Sequence, residues 1–256
     1  MLNLLTEIVR DPEATLHCQE GNLRRISLNP DEPFVFPTLP YDENADRPLR
    51  MDLYKEFIVE PGAKVMLGNI DPGYHGGYES RNGALPEIRF LLQKLVRLQY
   101  IMFAQRKHSL LIVLQGLDAS GKDGVSRHIL GAMNPASCRV AAFKQPKPEE
   151  LDHDFLWRVH PHLPAKGEVS ILNRSHYEDV LVVRVHQLAE IHRWSRRYEL
   201  INDFERLVSI DNDTTVLKFF LYISKKEQLA RFKQRLDDPS RRRARYDRRL
   251  AAGLRI

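Results

Sequence analysis

This sequence predicts an α/β fold, a parallel sheet flanked by helices, and three observations point to it. Short apolar runs, such as residues 110–114, alternate with segments of helical periodicity. The run at 110–114 is bounded by polar residues, which fits a strand buried on both faces. It leads at once into Gly116-Leu-Asp-Ala-Ser-Gly121-Lys122, followed by an expected helix. That strand–loop–helix setting gives G-x-x-x-x-G-K its meaning as a phosphate loop.

The elements follow in order. Residues 1–50 are broken by Pro37, Pro40 and Asp31-Glu-Pro, with no lasting period, and are expected to be an extension that is partly ordered at best. Residues 53–64 begin more regularly, with a turn at Pro61-Gly62, and residues 69–83 read as loop. Pro86 stands where a helix would begin. Ile88, Leu91, Leu92, Leu95, Leu98 and Met102 recur at helical spacing, which predicts an amphipathic helix over 86–106. After the loop a helix is expected over 125–133, stopped by Asn134-Pro135. A strand over 139–143 comes next, then a loop containing Lys144 and Lys147. A helix from Pro148 to about Val159 has acids at its positive end. A strand at 168–172 ends in Asn173-Arg174-Ser175-His176-Tyr177-Glu178-Asp179. Residues 188–209 read as helix, and 214–223 as a β-branched and aromatic strand. Ser224 is placed to cap a basic helix over 225–236. No internal repeat is visible.

Composition sets the bounds. At 256 residues and 43% hydrophobic content the chain is one domain, or one domain with extensions. The expected division is an extension over 1–50, a phosphate-loop domain over 51–239 with a lid from about 224, and an Arg-rich tail over 240–256. No apolar run reaches membrane-spanning length and the N-terminus lacks a signal pattern, so no membrane partner and a cytoplasmic location are expected. Cys18 and Cys138 have no C-x-x-C spacing and are expected as reduced thiols. A net charge of +5 and a pI near 9.2 favour an anionic partner. A symmetric homo-oligomer is expected for an enzyme of this size.

Chemistry is expected where strands end, since ligands of open α/β sheets bind at their carboxyl ends. In the loop, Gly116, Ala119, Ser120, Gly121 and Gly124 let backbone N–H groups approach phosphate oxygens, and Lys122 adds a full positive charge. Asp123 occupies the place where Ser or Thr normally meets magnesium. A carboxylate is also a hard oxygen ligand, and Asp118 offers a second. Two acids beside a phosphate cradle make sense with a cation between them. Lys144 stands at the second strand end, and Asn173 and Arg174 at the third. Asn173 sits where many phosphate loops have an Asp; it offers only a neutral oxygen or a bond to metal-bound water. Arg174 suits phosphate by its planar fork, or a structural salt bridge. Glu178 and Asp179 read equally as metal-side groups or as helix caps. Arg231 and Arg235, four apart, share a face of this helix, and Lys225 and Lys226 stand at its start; the basic helix is either a solvated face or a mobile lid. His153, His160, His162 and His176 match no zinc spacing, which favours packing or surface roles.

These residues resemble the polyphosphate kinase 2 family. The likeness is carried by GLDASGKDG at 116–124, CRVAAFKQP at 138–146, ELDHDFLWRVHPHLP at 150–164, NRSHYEDVLVVRVH at 173–186 and ISKKEQLARFKQRLDDP at 223–239. The resemblance implies a thymidylate-kinase-like P-loop NTPase fold with a basic lid helix. It also implies transfer of phosphoryl groups between inorganic polyphosphate and nucleotides (AMP, ADP, ATP). It assigns Asp118 and Asp123 to Mg2+, with Mn2+ as an alternative, and Lys122 to phosphate. Lys144, Arg174, Arg231 and Arg235 go to polyphosphate or nucleotide phosphates, and Asn173 to the Walker B position. After Pro239 the chain departs from the family's Trp-Lys pair, and residues 1–50 match nothing in it. A shifted frame or a gene-boundary error is the expected origin of the tail, which sequencing of the gene would check. Three other readings stand beside this one: an ATP-using small-molecule or nucleoside kinase, a basic nucleic-acid-binding protein, and a catalytically impaired relative.

Overall fold

Residues 109–114, buried in an unbroken run, put strand β1 (Ser109–Gly116) at the heart of a four-stranded sheet. The other strands are β2 (Cys138–Ala141), β3 (Val169–Asn173) and β4 (Thr214–Leu221). Their order is β2-β3-β1-β4 and every pairing is parallel. Among the described residues seven α-helices accompany them: α1 (Leu53–Phe57), α2 (Arg81–Gln105), α3 (Lys122–Leu130), α4 (Pro148–Leu151), α5 (Glu178–Val185), α6 (Ile191–Asp211) and α7 (Lys225–Asp237). The computed structural model describes residues 53–237; the expected extension over 1–50 and the expected tail over 240–256 lie outside the described residues. Among the described residues no helix is long and apolar enough to cross a membrane.

The period of two along β1 divides it between two cores. Leu110, Ile112 and Leu114 face Ile88, Leu91 and Leu95 of α2 and Ile129 of α3. Leu111 and Val113 face Phe204 and Val208 of α6, with Phe143, Val159 and Leu172. Each fully buried Leu or Ile contributes about 1.5–3 kcal/mol relative to exposure, so these two layers hold the sheet. The connection after β1 covers one face and that after β3 the other, which opens a crevice at the carboxyl ends of these neighbouring strands. The register brings their ends level: Leu114 lies opposite Asn173 on one side and Gly116 opposite Leu221 on the other.

Several boundaries differ from expectation, each for a local reason. Helix α2 starts at Arg81, inside the stretch read as loop, because the Ser80 side chain accepts a hydrogen bond from Gly83 N at 3.2 Å and caps the first turn. Pro86 therefore lies within the helix rather than at its start. Helix α3 begins on Lys122 and ends at Leu130, ahead of the expected 125–133. Strand β2 stops at Ala141 instead of 143, and β4 at Leu221 instead of 223. The helix expected over 148–159 lasts only to Leu151. There Asp154 Oδ1 accepts from Leu156 N at 2.9 Å, and such aspartate–backbone bonds compete with a helix. A short 3-10 turn at His160–His162 follows. The segment read as helix from 188 starts at Ile191, and the separate helix α5 precedes it, the two parted by Gln187 at φ 52°. Ser224 caps α7 as expected, its Oγ accepting from Glu227 N at 3.1 Å.

Candidate functional site

The loop from Gly116 to Lys122 folds around its own lysine. Ala119 at φ 65° and Gly121 at φ 105° turn the backbone, and Gly121, as N-cap of α3, brings no side chain to cover the first helical N–H groups. Lys122 Nζ reaches back under the loop and donates to the carbonyls of Gly116 at 2.6 Å and Leu117 at 2.9 Å, with Ser120 Oγ at 3.5 Å. Its side chain is buried, and burial holds its pKa below the ordinary lysine value. Arg174 pushes in the same direction, while Asp118, Glu178 and Asp123 oppose. Gly124, in the first turn of α3, has open space around it.

Three elements close on this loop. From the end of β3, Arg174, at φ 64°, donates through a terminal guanidinium nitrogen to Asp118 Oδ1 at 2.6 Å. Its neighbour Asn173 donates from Nδ2 to Asp123 Oδ1 at 2.6 Å, so the amide meets the loop carboxylate directly. From α7, Arg231 donates to the carbonyls of Ala119 and Ser120, both at 3.0 Å, and Gln228 Nε2 to the carbonyl of Asp118 at 2.8 Å. The basic helix is thus latched onto the loop. Arg235, one turn on, makes no hydrogen bond to it among the described residues. From α5, Glu178 is half-buried; burial raises its carboxyl pKa, against the pull of Arg174, a hydrogen bond from Gln115, and Lys122. Lys144 stands just past β2 with its side chain exposed. Phe143 N donates to the Arg174 carbonyl at 3.4 Å, which sets the two strand ends side by side.

Glu178 and Asp179, equivalent in the sequence, part company here. Glu178 turns toward Lys122 and Arg174, whereas Asp179 is buried and accepts from Arg158 at 2.7 Å. Sequence reasoning missed Arg158 because the helix expected over 148–159 hid its position. It also missed Gln228 and Glu205. Buried residues of α6 are Ile201, Phe204, Glu205 and Val208, and a carboxylate on that apolar stripe was the available signal. Glu205 accepts from His176 Nε2 at 3.1 Å, Tyr177 OH at 3.0 Å and Lys218 Nζ at 2.7 Å, beneath the Arg174 turn. Of the histidines weighed as metal ligands, the other three pack on aromatic rings: His153 on Trp157, His160 on Phe204 and His162 on Phe143.

Burial alone would raise the Glu205 pKa. The hydrogen bonds from His176 and Lys218 outweigh burial and leave it below the usual value of 4.5. A depressed carboxylate contributes stability that is present above its unfolded pKa and lost as pH falls through the folded one. Glu205→Gln is therefore expected to cost about 2 kcal/mol at pH 7, roughly 4–8 °C in Tm. The gap to wild type should close on acidification below the ordinary carboxylate range. Thermal melts from pH 7 to pH 3 check this, and a gap that does not change with pH would rule out the ionic account.

The family model described as polyphosphate kinase 2 (PPK2) matches residues 80–247. An AMP/ADP-polyphosphate phosphotransferase from Meiothermus ruber is 46% identical over 189 residues, covering 73% of this chain and 70% of that protein. An ADP-polyphosphate phosphotransferase from Rhodopseudomonas palustris is 40% identical over 199 residues, covering 73% of this chain and 68% of that one. Among solved structures, the polyphosphate kinase 2 crystal structure from Arthrobacter aurescens superposes with a TM-score of 0.64 at 39% identity, covering 74% and 71% of the two chains.

Proposed function

This chain belongs to the polyphosphate kinase 2 family, and we propose that it is a polyphosphate-dependent nucleotide kinase moving phosphoryl groups between inorganic polyphosphate and AMP or ADP. One observation carries the reading at the level of the site. The loop after β1 is met by Arg174 and Asn173 from β3 and by Arg231 from α7, so cations and carboxylates gather where a phosphate chain would lie.

The chemistry asked of the protein is positioning and neutralisation of spreading negative charge. A terminal phosphate oxygen of the nucleotide attacks the terminal phosphorus of polyphosphate. A new P–O bond forms, the bond to the penultimate phosphate breaks, and the chain leaves one unit shorter with the electron pair on its oxygen. The attacking oxygen is already anionic at neutral pH, so no general base is required. Lys122 and the loop N–H groups of residues 116–124 hold phosphate oxygens; Arg174, Arg231, Arg235 and Lys144 serve the two phosphate chains. Asp118 and Asp123 supply hard oxygen donors that suit Mg2+, or Mn2+, which adds charge neutralisation when bound. Among the described residues no group of three or more His, Cys, Asp or Glu side chains forms a metal site. A carboxylate pair is the donor set that magnesium uses when phosphate oxygens and water fill the remaining positions. Asn173 then orients Asp123 through the hydrogen bond that its side-chain amide donates.

The test compares donors. AMP or ADP is incubated with polyphosphate or with ATP, and the phosphorylated nucleotide is followed with magnesium present and then chelated. Product from polyphosphate that disappears on chelation is the expected result. Product formed from ATP alone would overturn the reading in favour of an ordinary nucleotide kinase.

A further inference from the structure

We propose that Arg158 is a positioning residue, which fixes the Lys144 segment against the first turn of α5 through Asp179. The inference rests on the assignment of Lys144 to substrate phosphate made above. Arg158 is 7% exposed, and its guanidinium spans two strand exits. One arm donates to the Lys144 carbonyl at 2.8 Å, beyond β2; the other donates to Asp179 Oδ2 at 2.7 Å, in the first turn of α5. The ring of Phe143 lies 5.3 Å from its central carbon, and Glu150 approaches the first arm at 3.5 Å.

Both ends of the segment are thereby tied. Arg158 holds its first carbonyl, and Glu150 Oε2 accepts from Lys147 N at 2.8 Å near its last turn. Asp179 is itself steadied, because Arg197 donates to its carbonyl at 2.6 Å. The exposed side chains of Lys144 and Lys147 thus rise from a fixed backbone.

Stability alone is a poor reason for this arrangement. Burying a guanidinium is costly, a well-packed apolar replacement is often as stable, and Arg158 Nε is left buried without a partner. What a planar fork adds is geometry: two acceptors beyond the ends of different strands held at one fixed separation. Asp179 adjoins Glu178, which faces Lys122 and Arg174. The same turn therefore serves the phosphate loop on one side and the Lys144 segment on the other.

A double-mutant cycle tests this. Arg158→Lys keeps a charge beside Asp179 but cannot span both acceptors, and Lys144→Ala removes the cation it is held to place. Each is expected to lower kcat/KM on the order of 10-fold, below the roughly 100-fold that a 1 Å misplacement can cost. Both should raise KM for the same substrate, and the double variant should match Lys144→Ala alone. Asp179→Asn, which preserves shape, should show the same non-additivity and keeps the test open if Arg158→Lys does not fold. Losses that multiply in the double variant overturn the proposal. So does a neutral Lys144→Ala beside a damaging Arg158→Lys, while donor choice and the inactivity of Lys122→Ala would still uphold the family reading.

Discussion

Lys122→Ala is expected to lower polyphosphate-dependent phosphotransfer by at least ~100-fold in a chain that still folds. The ammonium sits under the loop on the Gly116 and Leu117 carbonyls, close to Asp118, Asp123, Glu178 and Arg174. Its removal takes away one positioned charge and also lets the loop relax. Two carbonyls at a loop edge accept water instead, so the cost in stability is about 1 kcal/mol each at most. The loss in rate should far exceed what that implies. Asp123→Ala is expected on the same scale, since it releases Asn173 and removes one of two proposed metal ligands. Because burial depresses the Lys122 pKa, the wild-type kcat/KM profile should fall on its alkaline side before the ordinary lysine range near 10.5. That limb should be missing from the residual activity of the alanine variant. Turnover close to wild type in either variant contradicts the assignment of the loop.

The parts of this fold that sequence made legible are those that local rules govern. β1 announced itself as five apolar residues in a row, 110–114, between polar ones, and G-x-x-x-x-G-K named the loop after it. Ser224 signalled the start of α7 because a cap depends only on residues a turn away. What stayed hidden depends on contacts far along the chain. Arg174 pairing with Asp118, Asn173 with Asp123 and Gln228 with the Asp118 carbonyl join residues 50 to 110 positions apart. No periodicity encodes such distances. The split between Glu178 and Asp179 was equally invisible, because it turns on Arg158, whose backbone runs through turns set by an aspartate side chain rather than by hydrophobic pattern. Glu205 was open to a closer reading: a carboxylate on the buried stripe of α6 calls for partners, and it has three.

Gly116→Ala is expected to be the most damaging small change in the loop. A Cβ at this position would meet the Leu221 carbonyl oxygen at 2.5 Å, Ser120 Oγ at 2.9 Å and Leu221 Cβ at 3.2 Å, at a backbone φ of 150°. The Ser120 hydroxyl can rotate away, but the Leu221 carbonyl and Cβ cannot move without shifting β4, since Gly116 and Leu221 are opposed residues at the end of the β1–β4 ladder. Overpacking costs about 1–3 kcal/mol and the strained φ another 1–2 kcal/mol, so a fall in Tm on the order of 10 °C is expected. The damage should also reach the chemistry. Leu221 lies four residues before α7, and a displaced β4 exit moves the Gln228 and Arg231 contacts away from the loop. Activity measured well below the melting point should therefore fall with stability rather than survive it. Gly124→Ala is the contrast: its Cβ meets nothing within 4 Å and its backbone is helical, so melting is expected to rise by the equivalent of about 0.5–1 kcal/mol. If the two variants melt alike, the close approach of β4 to the loop is not what demands glycine at position 116.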